Sequence, residues 1–379
     1  MFRISVIIGT RPEAIKLAPL ILELNKHKNI KTRVILSGQH VEIVSQVMNL
    51  FKLKEDLNLE IMKESQSINS INAKILTKLE LEFEQNKTDL VIVQGDTSTT
   101  FAAATSAFYQ KIPIAHIEAG LRTNDLFEPF PEEANRRLIS QIASLHFAPT
   151  DSSKQNLLNS GIENAKIFTS GNTVIDALLY ISNKFDCNEL QTKKFDEYQN
   201  NKIILATIHR RENWGEPIGN ICEGLKMILK KHLDIVLVIP LHPNKDIREI
   251  IKDKLSNLSR AKLIEPLPYD ELVYLIKKSK IVLTDSGGIQ EEAPALGKPV
   301  LVLRKNTERI EAVYAGTTKL VGTDANSIFK SADSLLTNSN EYKKMASSIN
   351  PYGNGTSSRF IVNKCLNFLN NFKNIKDNK

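Results

Sequence analysis

Apolar runs of strand length recur along the whole chain, each followed by a longer stretch of helical character, and this alternation admits few folds. In the first half such runs fall at 3–8, 32–36, 90–93, 112–117, 145–148 and 167–169. In the second half they fall at 202–208, 235–239, 262–264, 280–283, 300–303 and 318–321. Strands that alternate with helices predict an α/β fold, with parallel strands joined by crossover helices. Two similar sets predict two domains, and 379 residues exceed the roughly 250 to 300 that a single core fills. The first domain is expected over residues 1–171, with a terminal helix at 357–372 packing back onto it. The second is expected over 172–356, with Ser170-Gly171-Asn172-Thr173 as the hinge.

In open α/β sheets, ligands bind outside the carboxyl ends of the strands. After those ends come Gly9-Thr10-Arg11-Pro12-Glu13, Ser37-Gly38-Gln39-His40, Gln94-Gly95-Asp96-Thr97, Glu118-Ala119-Gly120, His209-Arg210-Arg211-Glu212-Asn213 and His242-Pro243-Asn244. Loops are polar in any protein. That explains one such loop better than it explains so many carrying acids, imidazoles and guanidiniums.

Residues 284–304, TDSGGIQEEAPALGKPVLVLR, read as the end of a strand, a glycine turn, a helix and another strand. Gly287 and Gly288 let the backbone approach a bound group, and the N–H groups of Ser286 and the following helix start suit a phosphate oxygen. A helix start favours an anion by roughly 0.3 to 1 kcal/mol when exposed and about 2 when partly buried. One turn on, Glu291 and Glu292 can accept hydrogen bonds from a ribose. The alternative is a plain tight turn followed by a solvated acidic face; the acidic pair favours a nucleotide diphosphate.

Arg11 and Lys16 lie in GTRPEAIK, where Pro12 suits the first position of a helix. A guanidinium and an ammonium beside a helix start make a diphosphate clamp, although a lone arginine on such a loop is more often a surface ion pair. Asp96, Glu118 and Glu132 follow strands or a proline turn, and each alone reads as a cap or a solvated acid. Near a doubly negative substrate they resist ionising together, so at least one is expected to have a raised pKa and act as an acid. His209 follows a strongly apolar strand, with Arg210 and Arg211 favouring its neutral form. His116 lies inside a strand and reads as a core histidine.

Several classes are disfavoured. No Gly-x-Gly-x-x-Gly follows a strand, so a nicotinamide cofactor is not expected, and there is no P-loop, nucleophile elbow or HExxH. Cys187, Cys222 and Cys365 have no paired spacing, which argues against zinc and disulfides. The formal charge of +7 is scattered, with no basic stripe interleaved with aromatics, so neither nucleic acid nor a membrane surface is the expected partner. No apolar run approaches the roughly 18 residues of a membrane helix. The first apolar run ends in GTRPE, unlike a signal peptide, and a cytoplasmic protein is expected.

GTRPEAIK, QGDT, HIEAGLRT, PEEANRR, GNTVIDAL, HRREN, LTDSGGIQEEAPALGKPVLVLR, TER and NPYG together resemble, in order and nearly end to end, the non-hydrolysing UDP-N-acetylglucosamine 2-epimerases of bacteria. The resemblance implies two Rossmann-like domains of the glycosyltransferase-B type with a ligand cleft between them, a homodimer, and no cofactor. It implies interconversion of UDP-GlcNAc and UDP-ManNAc for surface polysaccharide. By this likeness Asp96, Glu118, Glu132 and His209 fall on catalytic positions, and Arg11, Lys16, Ser286, Gly287, Gly288, Glu292 and Arg309 on UDP-binding ones. The C2 proton of the sugar is not beside a carbonyl, so its removal requires either oxidation at a neighbour or departure of a leaving group. Without a nicotinamide site, departure of UDP remains, giving 2-acetamidoglucal, with re-addition from the other face of C2. A hydrolysing relative, a glycosyltransferase of the same architecture and a UDP-sugar-binding protein are the alternatives.

The departures from the family pattern are few. Ile310 stands where proline usually follows TER, and LHPN replaces HLNP. Some bacterial members of the family use UDP-GlcNAc as an activator, through QHRQ and KERQ strings, the arginine after the catalytic histidine and a later histidine. Gln39, Arg210 and His242 match that set, but Glu42 replaces an amide and Ser65 a guanidinium. Both changes disfavour an anion, so weak or absent activation is expected.

Overall fold

The computed structural model describes residues 1–38, 41–63, 66–123, 125–198 and 200–377. The chain forms two compact units, Met1–Ala177 with Tyr352–Lys379, and Leu178–Pro351. In the first, strands β1 (Phe2–Ile8), β2 (Ile30–Leu36), β3 (Leu57–Asn58), β4 (Leu90–Gln94), β5 (Ile114–Ile117), β6 (Leu145–Ala148) and β7 (Ile167–Thr169) form one sheet. The order is β3-β2-β1-β4-β5-β6-β7, and every described pairing is parallel. The chain runs outward from β1 to β3 and then resumes beside β1 at β4, with Ile4 opposite Leu90 and Val6 opposite Ile92. That reversal opens a crevice at the carboxyl ends of β1 and β4, where open α/β sheets take ligands.

The second unit repeats the plan. Strands β8 (Lys202–Thr207), β9 (Ile235–Pro240), β10 (Ala261–Ile264), β11 (Ser279–Thr284), β12 (Val300–Val302) and β13 (Thr318–Leu320) are parallel in the order β10-β9-β8-β11-β12-β13. Here the reversal lies between β8 and β11. Because successive side chains of a strand point to opposite faces, Ile204 and Ala206 pack with Ile221 and Leu225 on one side, while Ile203 and Leu205 pack with Leu275, Ile276 and Ile289 on the other. Both faces are covered, which is why these strands read as continuous apolar runs and not as alternating ones.

All twelve expected strands are present, with ends shifted by up to two residues. The additional strand, β3, is two residues long at the sheet edge and pairs only through Leu57 and Asn58 with Ile35 and Leu36. So short an edge leaves no periodic signal in the sequence. The expected strand at 112–117 begins at Ile114, since Pro113 has no N–H to donate to a ladder; its carbonyl still accepts from Val91 N at 2.9 Å.

Helix Arg11–Leu24 begins at Arg11, one residue before the expected Pro12, closed by a capping box of Thr10 and Glu13. Thr97 caps helix Ser98–Tyr109 by accepting from Thr100 N at 3.2 Å, a contact worth about 1 kcal/mol. Helix Ser357–Asp377 packs against helix Arg11–Leu24. Its start is tied down where Ser357 N and Ser358 N donate to the Asp176 carboxylate at 3.3 and 2.7 Å. The two units divide inside helix Thr173–Asp186, between Ala177 and Leu178, a few residues past the turn at Ser170-Gly171-Asn172-Thr173.

Candidate active site

In the first unit, the polar groups gather at the carboxyl ends of β1, β4 and β5. Glu118 follows β5 directly, with φ at +62°, a left-handed conformation uncommon for a residue with a side chain. Its carboxylate is almost fully buried and accepts from Lys16 Nζ at 2.6 Å, from Asn172 Nδ2 at 3.0 Å and from the Gln94 side-chain amide. Hydrogen bonds to a charged group are worth roughly 1.5 to 3 kcal/mol each, so the odd backbone angle is held by its contacts. Lys16, expected on the diphosphate, is thus joined to Glu118, expected on the sugar.

Asp96 follows β4 and takes two hydrogen bonds from Arg136 on its Oδ2, both at 2.7 Å, while its carbonyl accepts from Asn135 Nδ2 at 2.8 Å. Helix Glu132–Ile142 therefore anchors the Asp96 loop. Of the adjacent acids on that helix, Glu133 is fully buried and accepts from Thr123 N, Arg136 and Arg137 at 3.0, 3.3 and 2.8 Å. Glu132 is different. Its Oε2 is buried and has no hydrogen-bond partner among the described residues.

Sequence reasoning passes over Glu13. It is 2% exposed, its Oε2 accepts from Gly9 N at 2.5 Å, and its Oε1 accepts from the Thr97 and Thr10 hydroxyls at 2.7 and 3.1 Å. Burial raises its pKa to about 7, outweighing the hydrogen bonds from Thr97, Gly9 and Thr10. The signal was the capping-box spacing of Thr10 and Glu13, but the tie to Thr97 lies 84 residues away. Arg11 sits at the start of the same helix, partly buried. His116 is a core histidine, as read: its Nε2 donates to the Gly95 carbonyl at 2.7 Å, and burial lowers its pKa to about 4.

In the second unit, the carboxyl ends of β8 and β11 bring His209 beside Asp285. Asp285 is fully buried and accepts from His209 N at 3.0 Å, Arg210 N at 3.0 Å, Asn213 Nδ2 at 2.9 Å and the His209 ring Nδ1 at 2.8 Å. Burial works to raise the Asp285 pKa, but the His209 ring and the two amides outweigh it and hold the carboxyl below its ordinary value. A carboxylate against Nδ1 fixes the proton there and directs Nε2 away from Asp285. The His242 ring stacks beside His209 with centroids 6.3 Å apart, its pKa lowered by burial and by His209.

The glycine turn leads straight from Asp285 into helix Gly287–Ala295, with Ser286 at its N-cap. Glu291 and Glu292 are not a solvated face. Both are buried; Glu291 accepts from Arg309 Nε at 2.5 Å and Glu292 from the Tyr269 hydroxyl at 2.8 Å. Arg309 is thereby held near the helix start, where a Cβ built on Gly287 would lie 3.6 Å from its NH2. Arg210, Arg304 and Arg309 all reach Glu308. Burial works to raise its pKa, but Arg309, its own amide and Arg304 bring it down to about 2.

Of the residues expected to serve an activator, Gln39 and Ser65 lie outside the described residues. Glu42 is exposed in the first turn of helix Val41–Leu50, while Arg210 and His242 lie beside His209. Among the described residues no group of three or more acids, histidines and cysteines could hold a metal, and no helix is long and apolar enough to cross a membrane.

Two units, each with a parallel sheet reversed at its centre and polar groups at the strand ends, define an α/β protein of the glycosyltransferase-B type. The glycotransferase of kitacinnamycin has this fold at 10% identity, with a TM-score of 0.65 and coverage of 97% of this chain and 99% of that one. The model of the UDP-N-acetylglucosamine 2-epimerase family matches residues 22–366. The UDP-N-acetylglucosamine 2-epimerase of Neisseria meningitidis is 50% identical over 96% of this chain and 99% of its own. The crystal structure of UDP-GlcNAc 2-epimerase from Neisseria meningitidis bound to UDP-GlcNAc covers 97% of this chain and 100% of its own, with a TM-score of 0.86 and 49% identity. The chain belongs to the UDP-N-acetylglucosamine 2-epimerase family.

Proposed function

We propose that the protein interconverts UDP-GlcNAc and UDP-ManNAc without net hydrolysis, in the cytoplasm, as a source of ManNAc-type precursors for bacterial surface polysaccharide. The observation that carries this reading is the set of acid and base groups at the strand ends. Asp96, Glu118 and Glu132 serve the first unit, and His209 with its Asp285 partner serves the second beside the glycine turn. The likeness to a relative whose structure is bound to UDP-GlcNAc supports the substrate.

In the forward direction a carboxylate takes the C2 proton as the C1–O bond to UDP breaks, leaving a C1=C2 double bond and free UDP. Arg11, Arg309 and the N–H groups at Gly287 and Gly288 stabilise charge on the departing diphosphate. Delivery of a solvent-exchanged proton to the opposite face of C2 by a second acid, with UDP re-adding at C1, gives the epimer, and positioned acids and bases are worth about 10² to 10⁴ in such transfers. Lys16, paired with Glu118, holds that carboxylate in place. The test is incubation with UDP-GlcNAc in heavy water, followed by proton NMR. Deuterium at C2 in a mixture of both nucleotide sugars is expected; full retention of the C2 hydrogen excludes the elimination route, and free ManNAc as the main product assigns a hydrolase instead.

The protein acts as a homodimer in this reading. Leu81, Phe108, Tyr109 and Leu138 are exposed on three helices that pack side by side, Ile68–Gln85, Ser98–Tyr109 and Glu132–Ile142, and supply an apolar surface for a second copy. Light scattering after size-exclusion chromatography tests this, with the mass of a single chain as the contrary result.

A further inference from the structure

The proposed chemistry leaves Glu308 without a role, yet its carboxylate occupies a distinctive position. A Cβ built on Gly287, the first residue of helix Gly287–Ala295, would lie 3.1 Å from Glu308 Oε1 and 3.4 Å from Arg210 NH2. The same Oε1 is 3.2 Å from Arg210 NH2 and 3.6 Å from Arg309 NH1, and Oε2 is 2.6 Å from Arg304 NH1. Arg304 is also committed to Glu212 at 2.5 Å, and Arg309 to Glu291 at 2.5 Å. A planar anion with two oxygens, set over a helix start and among three guanidiniums, occupies the place that two phosphate oxygens would take.

We propose that Glu308 is an internal competitor for the diphosphate site: its carboxylate engages Arg210, Arg309 and the start of helix Gly287–Ala295, and gives them up when a ligand diphosphate takes its place. This rests on the reading that Ser286, Gly287, Gly288 and Arg309 bind UDP. Two anions cannot share the same donors at these distances without strong repulsion. Glu308 is 39% exposed at its side chain, so it has solvent to swing into. Glu212 and Glu291 keep Arg304 and Arg309 in place after the carboxylate leaves. The consequence is a site whose affinity for UDP is set by an exchange of one anion for another. It is held below what its arginines alone would give, which favours release of UDP.

The opposite role, a carboxylate that merely organises the arginines for ligand, predicts the opposite sign. UDP is titrated calorimetrically into the wild type and Glu308→Gln, a substitution of equal size at a partly exposed position. Tighter binding by the variant, by roughly tenfold for one opposing charge removed from the site, is the expected result; equal or weaker binding overturns the proposal. A crystal structure of the wild type with UDP provides a second reading independent of any variant. The Glu308 carboxylate should lie away from Gly287 and Arg210, and its persistence at the 3.2 Å contact with UDP bound overturns the proposal. Failure of both proteins to bind UDP overturns the nucleotide reading itself, a result distinct from binding that Glu308→Gln leaves unchanged.

Discussion

The His209 ring Nδ1 lies 2.8 Å from Asp285 Oδ1, and Asp285 is the residue immediately before the Ser286-Gly287-Gly288 turn. A single buried carboxylate therefore fixes the orientation of the imidazole and the entry of the chain into the helix start. The histidine and the proposed nucleotide turn cannot be displaced independently.

Replacing Asp285 by Asn leaves a polar side chain of equal size but presents an amide where Nδ1–H, two backbone amides and Asn213 all donate. The expected loss is about 10² to 10⁴ in kcat, the range for a misoriented catalytic histidine or a lost acid or base. A merely structural role would be revealed by equal loss in UDP affinity. ¹⁵N NMR of the His209 ring gives the independent reading, with the proton moving from Nδ1 in the variant. Because the folded Asp285 pKa is depressed below the ordinary value of 3.8, its contribution to stability is present above that value and is lost as pH falls through the lower folded one.

Glu13 has the opposite sign. Its folded pKa is raised from 4.5 to about 7, so its contribution is fully present below 4.5 and is lost as pH rises through about 7. A shift of that size corresponds to roughly 2 to 4 kcal/mol between the two limits. Glu13→Gln keeps a neutral side chain among Gly9, Thr10 and Thr97 and removes the proton. Urea unfolding at pH 5 and at pH 8 measures the difference. Wild type should lose stability over this interval relative to Glu13→Gln, and parallel behaviour of the two proteins would refute the assignment.

The strands were legible because both faces of a parallel sheet are covered, which turns each strand into an unbroken apolar run such as the FRISVII of β1. The strand-end loops were legible for the complementary reason, since helix starts and polar residues follow each run. Partnerships were not. Glu13 with Thr97, His209 with Asp285 and Arg309 with Glu291 join residues separated by 84, 76 and 18 positions, and no spacing rule relates them. Burial was hidden for the same reason. Glu291 and Glu292 read as ribose acceptors, with a solvated acidic face as the alternative, and their burial against Arg309 and Tyr269 has no signal in the sequence.

Asp96→Asn and Glu118→Gln should each lower kcat by on the order of 10² to 10⁴, a larger factor than any loss of UDP affinity, if these carboxylates transfer protons. The two should differ in one respect. Asp96 is tied to Arg136 of helix Glu132–Ile142, whereas Glu118 holds Lys16. Glu118→Gln therefore also releases Lys16 and should raise KM, while Asp96→Asn should leave KM nearly unchanged. Steady-state kinetics with UDP-GlcNAc, paired with UDP binding, separates these effects; a loss of UDP affinity equal to the loss of rate would mean that the residues only hold the ligand.

The last prediction concerns activation by UDP-GlcNAc, which the family resemblance raises and this chain's own residues disfavour. Glu42 is exposed in the first turn of helix Val41–Leu50, and it puts a negative charge at the position that by family resemblance carries an amide in the activated members. Ser65 stands where the activated members carry a guanidinium, and one missing charge-assisted hydrogen bond costs an anion roughly 1.5 to 3 kcal/mol. Each feature works against a second nucleotide sugar. The reverse reaction started from pure UDP-ManNAc should therefore proceed at once, without a lag. A progress curve with a pronounced lag that a trace of UDP-GlcNAc abolishes would show that the activator site works despite Glu42 and Ser65.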